Sequence, residues 1–459
     1  MNRLLWAPQA WVDGRWQDQV LLEVDGAGRW ARITAGLPCP PDAQRLAGPV
    51  LPGLVDAHSH AFQRAFAGLS ERRERDSDDF WSWRERMYRV AGQVSVDEVR
   101  DIATHLFHEL IEGGYTQVCE FHYLQHQADG QPYADPLAMA WALRDAARAS
   151  GIGLTLLPVL YERAGFEQPA LRPDQARFRL GADEVWAASQ RLREQADACF
   201  DAGLAIHSLR GAAPTSIHRL ARRAQGWSGA IHLHVAEQTG EVDDCLATTG
   251  RRPIEWLLHE GLLDARWQLV HATHATPAEI EGVARSGAGV VICPGTEADL
   301  GDGLTDVPGW LDAGVPVSVG SDSQVTRDWR EELRWLEWGQ RLARRQRNLA
   351  AAPATGQAAT AARLFETARQ AGAAAAGQPS WGLQPGARAD LLVLDDSDPA
   401  LAGIPGSHRL DALVFSAPAR PWHDVMVAGH WVRRAHVQPG RDAARLDFAA
   451  VMHRLWGGA

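Results

Sequence analysis

One alternation limits what this chain can fold into. From about residue 49, short apolar runs that read as strands are separated by longer stretches with helical periodicity. The strand-like runs cover residues 50–55, 116–121, 153–159, 205–208, 231–235, 268–271, 289–293 and 316–320. Amphipathic segments at 96–113, 138–150, 182–202, 252–263 and 277–286 lie between them. Eight strands alternating with helices inside roughly 270 residues count out an α/β fold, a (β/α)8 TIM-type barrel. A doubly wound open sheet shows the same alternation, so the pattern alone leaves closure open.

The two ends of the chain read differently. Residues 1–48 alternate apolar runs with turn signals, and Asp13-Gly14 and Asp25-Gly26 are hairpin signatures. So few strands bury too little surface to stand alone. Residues 391–394 and 425–432 return to strand patterning near the other end. The expectation is a small β-sandwich domain built from both ends, residues 1–48 and 380–459 with a closing helix over 441–459. Between them lies a catalytic barrel over 49–379. The Ala-rich stretch 350–376 favours helix.

Composition excludes some functions. A net charge of −11 without Lys or Arg runs argues against a nucleic-acid partner. No apolar run approaches the roughly 20 residues of a membrane span, and the first residues lack a signal-peptide pattern. Five scattered cysteines without a C-x-x-C pair fit reduced thiols in a cytoplasm.

On a barrel, functional groups come from the C-terminal ends of the strands. The first strand runs into Asp56-Ala57-His58-Ser59-His60. Alternation puts His58 and His60 on one face, where two neutral imidazoles can grip one transition metal. The bland alternative is two unrelated polar residues in a loop. The fifth strand carries His232, His234 and, three residues on, Glu237; the sixth ends in His271, and the eighth leads into Asp322. Histidines and an aspartate thus stand where a metal site needs them.

The set His58-x-His60, His234 with Glu237, His271 and Asp322 resembles the amidohydrolase superfamily, in its mononuclear deaminase branch. The resemblance implies one divalent ion, Zn2+, held by His58, His60, His234 and Asp322, with Glu237 and His271 beside it. Two-metal members bridge their ions with a lysine or glutamate from strands three or four. Leu157-Pro158-Val159-Leu160 and Ala205-Ile206-His207-Ser208 offer neither. His232 and Asp56, two residues before a ligand, are read as supporting groups. The catalytic roles fall to Asp322 as proton acceptor, His271 as positioning group and Glu237 as proton donor to a leaving nitrogen.

The stretches Asp78-Asp79-Phe80-Trp81-Ser82-Trp83-Arg84-Glu85-Arg86-Met87-Tyr88, Phe121-His122-Tyr123 and His207-Ser208-Leu209-Arg210 resemble those of the formimidoylglutamate deiminase family of histidine degradation. That likeness implies a small anionic substrate, N-formimino-L-glutamate, hydrolysed to N-formyl-L-glutamate and ammonia. It also implies substrate contacts from Gln63, Arg84, Tyr123, His207 and Arg210. Two carboxylates call for arginine forks and hydroxyl donors. Arg84 lies in the long loop expected over residues 61–92. By analogy with the superfamily the chain forms a homodimer. The rival readings are a deaminase of a nucleobase such as guanine or cytosine, which shares the metal set, and a barrel kept as a non-catalytic scaffold.

Overall fold

The computed structural model of the chain describes residues 2–73 and 79–457. Eight parallel strands form the barrel: Leu54–Ser59, Tyr115–His122, Gly153–Leu160, Leu204–Ile206, Ile231–Val235, Trp267–His271, Gly289–Ile292 and Val317–Val319. Every strand is fully buried, as expected where helices cover the outside of a parallel sheet. The barrel is nearly closed. Between the last and first strands the contact is a parallel bridge of Ser59 with Asp322. There the Asp322 amide donates to the His58 carbonyl at 2.9 Å, and the His60 amide to the Asp322 carbonyl at 3.2 Å.

Residues 50–55 do not form the single strand that their apolar run suggests. Val50–Leu51 pairs with Leu391–Leu394 and Arg3–Val12 outside the barrel, and the barrel strand starts at Leu54. Pro52 has no amide hydrogen to continue a ladder, and a Cβ on Gly53 would lie 2.3 Å from the Thr116 side chain. The first barrel strand therefore sits further along, and His58 lies within it.

The chain ends share one continuous sheet, in the order His430–Arg433, Trp422–Val427, Leu391–Leu394, Val50–Leu51, Arg3–Val12, Arg15–Val24, Trp30–Thr34. The Asp13-Gly14 turn joins its longest strands with φ of 52° and 72°, the left-handed values a two-residue hairpin demands. Leu5, Val20, Leu22, Trp30, Leu391 and Met426 form its own core. Arg388 straps this sheet to the barrel. Its guanidinium pairs with Asp390 at 2.7 Å and donates to the Thr116 carbonyl at 2.9 Å and to Gln117 Oε1 at 2.7 Å.

The loop expected over residues 61–92 contains a helix, Phe80–Ala91. Asp79 starts it, its carboxylate accepting from the amides of Trp81 and Ser82 at 3.0 and 3.2 Å. Asp78, in the same stretch, lies outside the described residues. The Ala-rich stretch forms Thr360–Ala375, and Arg441–Trp456 makes the expected last helix. No helix among the described residues is long and apolar enough to cross a membrane, and none of the five cysteines forms a disulfide.

Candidate active site

His58, His60, His234, His271 and Asp322 converge at the C-terminal mouth of the barrel. His60 Nδ1 meets the Phe121 carbonyl at 2.9 Å, and His234 Nδ1 meets the His207 carbonyl at 2.9 Å. A carbonyl only accepts, so each Nδ1 carries the proton and each Nε2 presents a bare lone pair. His234 Nε2 lies 3.0 Å from His58 Nε2, and Asp322 Oδ1 lies 3.5 Å from the Nε2 atoms of both His58 and His60. Lone pairs forced together beside a carboxylate are what a cation needs, so the residues present fit a divalent metal. One ligand atom each from His58, His60 and Asp322 lies within 4.8 Å of the others, and the same holds for His58, His234 and His271.

The electrostatics agree with that fit. Burial pulls the imidazole of His58 down to about 3 and lowers those of His60 and His234, so all three are neutral near pH 7. Burial works against an ionised Asp322, but a hydrogen bond with His58 and the charge on His271 outweigh it and hold the carboxyl below its usual range. Burial also opposes charge on His271. There the carboxylates of Glu237, Glu297 and Asp322 win and raise the imidazole to about 10. Glu237 Oε1 is 3.8 Å and Asp322 Oδ2 3.7 Å from His271 Nε2. Burial raises the Glu237 carboxyl.

All five expected substrate contacts line one cavity together with His60, His234, Glu237, His271 and Asp322. Gln63 donates to the Tyr123 hydroxyl at 3.1 Å. His207 stacks on Tyr161 with centroids 4.0 Å apart and is held by Ser208 Oγ at 2.9 Å. Arg84 lies over the ring of Trp81 at 4.5 Å, and Arg210 over the same ring at 5.3 Å. Arg84 Nε and Arg210 Nη1 are buried and have no hydrogen-bond partner among the described residues. His232 turns elsewhere, its Nε2 meeting the Ala375 carbonyl at 2.8 Å. Asp56 accepts from the Ser321 amide and hydroxyl at 2.9 and 2.6 Å.

Two carboxylates here carry no motif. Glu297, on the helix Pro294–Leu300, lies 3.3 Å from His271 Nδ1 and accepts from the Cys293 amide at 2.9 Å. Its one sequence signal is position, four residues past Cys293 at the end of a barrel strand. Glu120 accepts from Ser59 Oγ and the Ala61 amide, both at 2.7 Å, pinning the turn that carries His60. A lone acid in the apolar run Val118-Cys119-Glu120-Phe121 was the clue to it.

A parallel barrel with this convergence at its mouth is the arrangement of a metal-dependent hydrolase. The chain belongs to the amidohydrolase family, whose model matches residues 50–432. It is 44% identical to the formimidoylglutamate deiminase of Pseudomonas aeruginosa over 98% of this chain and 99% of that one. It is 26% identical to the 8-oxoguanine deaminase of the same organism, covering 95% of this chain and 92% of the other. Among solved structures, an amidohydrolase from Brucella melitensis superposes with a TM-score of 0.93 at 37% identity, covering 99% of each chain.

Proposed function

We propose that this chain is a zinc-dependent deiminase that hydrolyses N-formimino-L-glutamate to N-formyl-L-glutamate and ammonia, a cytoplasmic step of histidine degradation. The observation that carries the reading is the pair of arginines, Arg84 and Arg210, with unpartnered guanidinium donors in the cavity that also holds the imidazole cluster. A substrate with two carboxylates supplies the acceptors they lack. The 44% identity to a formimidoylglutamate deiminase along nearly the whole chain points the same way.

In this reading His58, His60, His234 and Asp322 hold the ion, which supplies Lewis acidity that brings the pKa of water to about 7. The water oxygen adds to the formimino carbon, and Asp322 accepts its proton. His271, fixed by Glu297, orients the attacking oxygen. Glu237, whose carboxyl is raised by burial, gives a proton to the formimino nitrogen as the oxygen adds and takes the remaining hydroxyl proton as the carbonyl forms. Asp322 passes its proton to the same nitrogen, which leaves as ammonia. Gln63, Tyr123 and His207 line the same cavity as the arginines and orient the substrate chain.

A nucleobase deaminase is the second reading, favoured by the aromatic walls Phe80, Trp83 and Tyr161 and by relatives such as the 8-oxoguanine deaminase. Ammonia release measured on N-formimino-L-glutamate beside guanine, cytosine and 8-oxoguanine separates the two. The deiminase reading expects the formimino compound to be turned over fastest; a faster base overturns it.

A further inference from the structure

The cavity wall beside Arg84 and Arg210 carries two phenols, Tyr88 and Tyr161, that no motif singles out. Tyr88 stands on the helix Phe80–Ala91, and Tyr161 follows the barrel strand Gly153–Leu160. Their hydroxyl oxygens are 3.3 Å apart. Gln175, fully buried, donates from Nε2 to Tyr161 at 2.9 Å and to Tyr88 at 3.1 Å. The orientation of its amide is not free, because Oε1 accepts from the Arg172 amide at 3.1 Å. Both amide protons of Gln175 are therefore committed to phenol oxygens.

Two hydroxyl protons remain to be placed. One bridges the two phenols, and the other has no acceptor among the described residues. The nearby polar atoms without partners, Arg84 Nε and Arg210 Nη1, are also donors. This corner of the cavity offers hydrogens and wants an acceptor. A carboxylate brings only acceptors; an amide or a base edge would set its own N–H groups against these.

We infer that Tyr88 and Tyr161, set by Gln175, join Arg84 and Arg210 in a carboxylate subsite that selects substrates with an anionic group remote from the reacting carbon. The inference rests on the deiminase reading and refines it. Removing one hydroxyl leaves the other to accept from Gln175 and donate to the ligand, so the decisive variant is the double one, Tyr88→Phe with Tyr161→Phe. With N-formimino-L-glutamate its KM should rise about tenfold or more, with the larger share of the loss in KM rather than kcat. Each single variant should show less. Two analogues each lack one carboxylate, N-formimino-γ-aminobutyrate and N-formimino-L-2-aminobutyrate. For the one missing the contacted group, KM should be the same in wild type and double variant.

An unchanged KM, or an equal rise for all three compounds, overturns the subsite. Zinc content and thermal unfolding report whether the double variant is folded. If it is not, Gln175→Glu decides, since a carboxylate there takes both hydroxyl protons and should raise KM as much; no rise overturns the subsite. If wild-type protein releases no ammonia from N-formimino-L-glutamate, the deiminase reading itself falls. Calorimetric titration with glutarate then judges the subsite: weaker binding by the double variant upholds it, and equal binding overturns it.

Discussion

Asp322 and His271 reach the cluster from backbone that turns left-handed, with φ of 48° and 69°. Asp and His enter that region more readily than most side chains, yet it is uncommon outside glycine and persists only where the surroundings enforce it. At Asp322 the enforcing contacts are the two bonds to the first strand, which hold the main chain while the carboxylate points inward. Asp322→Asn keeps the shape and removes the charge. If Asp322 both holds the metal and accepts the proton, turnover should fall at least about 100-fold, measured as ammonia release, and bound zinc should fall with it. Full turnover would remove Asp322 from both roles. The residue types of the cluster were legible because strand ends carry few histidines by accident. The tautomers were not, since they depend on which carbonyls, of Phe121 and His207, face each ring. Nor was Glu297, which meets His271 only through the turn at Pro294.

Strands and helices are unevenly legible in the sequence, for physical reasons. The alternation that counts eight strands comes from burial, so the barrel was visible; strand limits depend on neighbours, so residues 50–55 misled. The helix Phe80–Ala91 was hidden among aromatic and charged residues, although Asp79 three positions before Ser82 is a cap signature. Two elements yield tests. A Cβ on Gly320 would lie 2.7 Å from His58 Cβ and 2.8 Å from its carbonyl oxygen. Gly320→Ala should push the eighth strand from the first and cost both zinc and turnover, while circular dichroism still reports a barrel.

On the fifth strand, burial lowers the imidazole of His232 from 6.5 to about 4. A depressed folded-state pKa gives stability that is present above pH 6.5 and lost as pH falls through about 4. Urea unfolding of wild type and His232→Gln should therefore differ most at pH 7.5. The gap should shrink toward pH 4 by an amount on the order of 3 kcal/mol. A gap independent of pH would mean that His232 is not held neutral.

At the scale of the molecule, the chain ends serve the barrel from outside. The Arg388 strap is buried, binds both bodies, and lies at the start of the second strand, whereas the cluster sits past the strand ends. Arg388→Ala strands Asp390 and the Thr116 carbonyl. It should destabilise the protein by about 3 to 5 kcal/mol in urea unfolding, with KM for the substrate little changed. The joint sheet was legible from strand patterning at both ends, but the strap was not, because one arginine in Gly386-Ala387-Arg388-Ala389 looks like any surface charge.

The seam between the first and last strands bears on how a molecule becomes active. Asp56 and Ser321, which bond across it, stand 265 positions apart in the chain. A ribosome has laid down every other barrel strand before the second side of that seam exists, and the histidines of the first strand wait meanwhile without their aspartate. A partly made chain lacks Asp322 and the other side of this seam, so in the proposed reading hydrolysis waits until the last strand has docked.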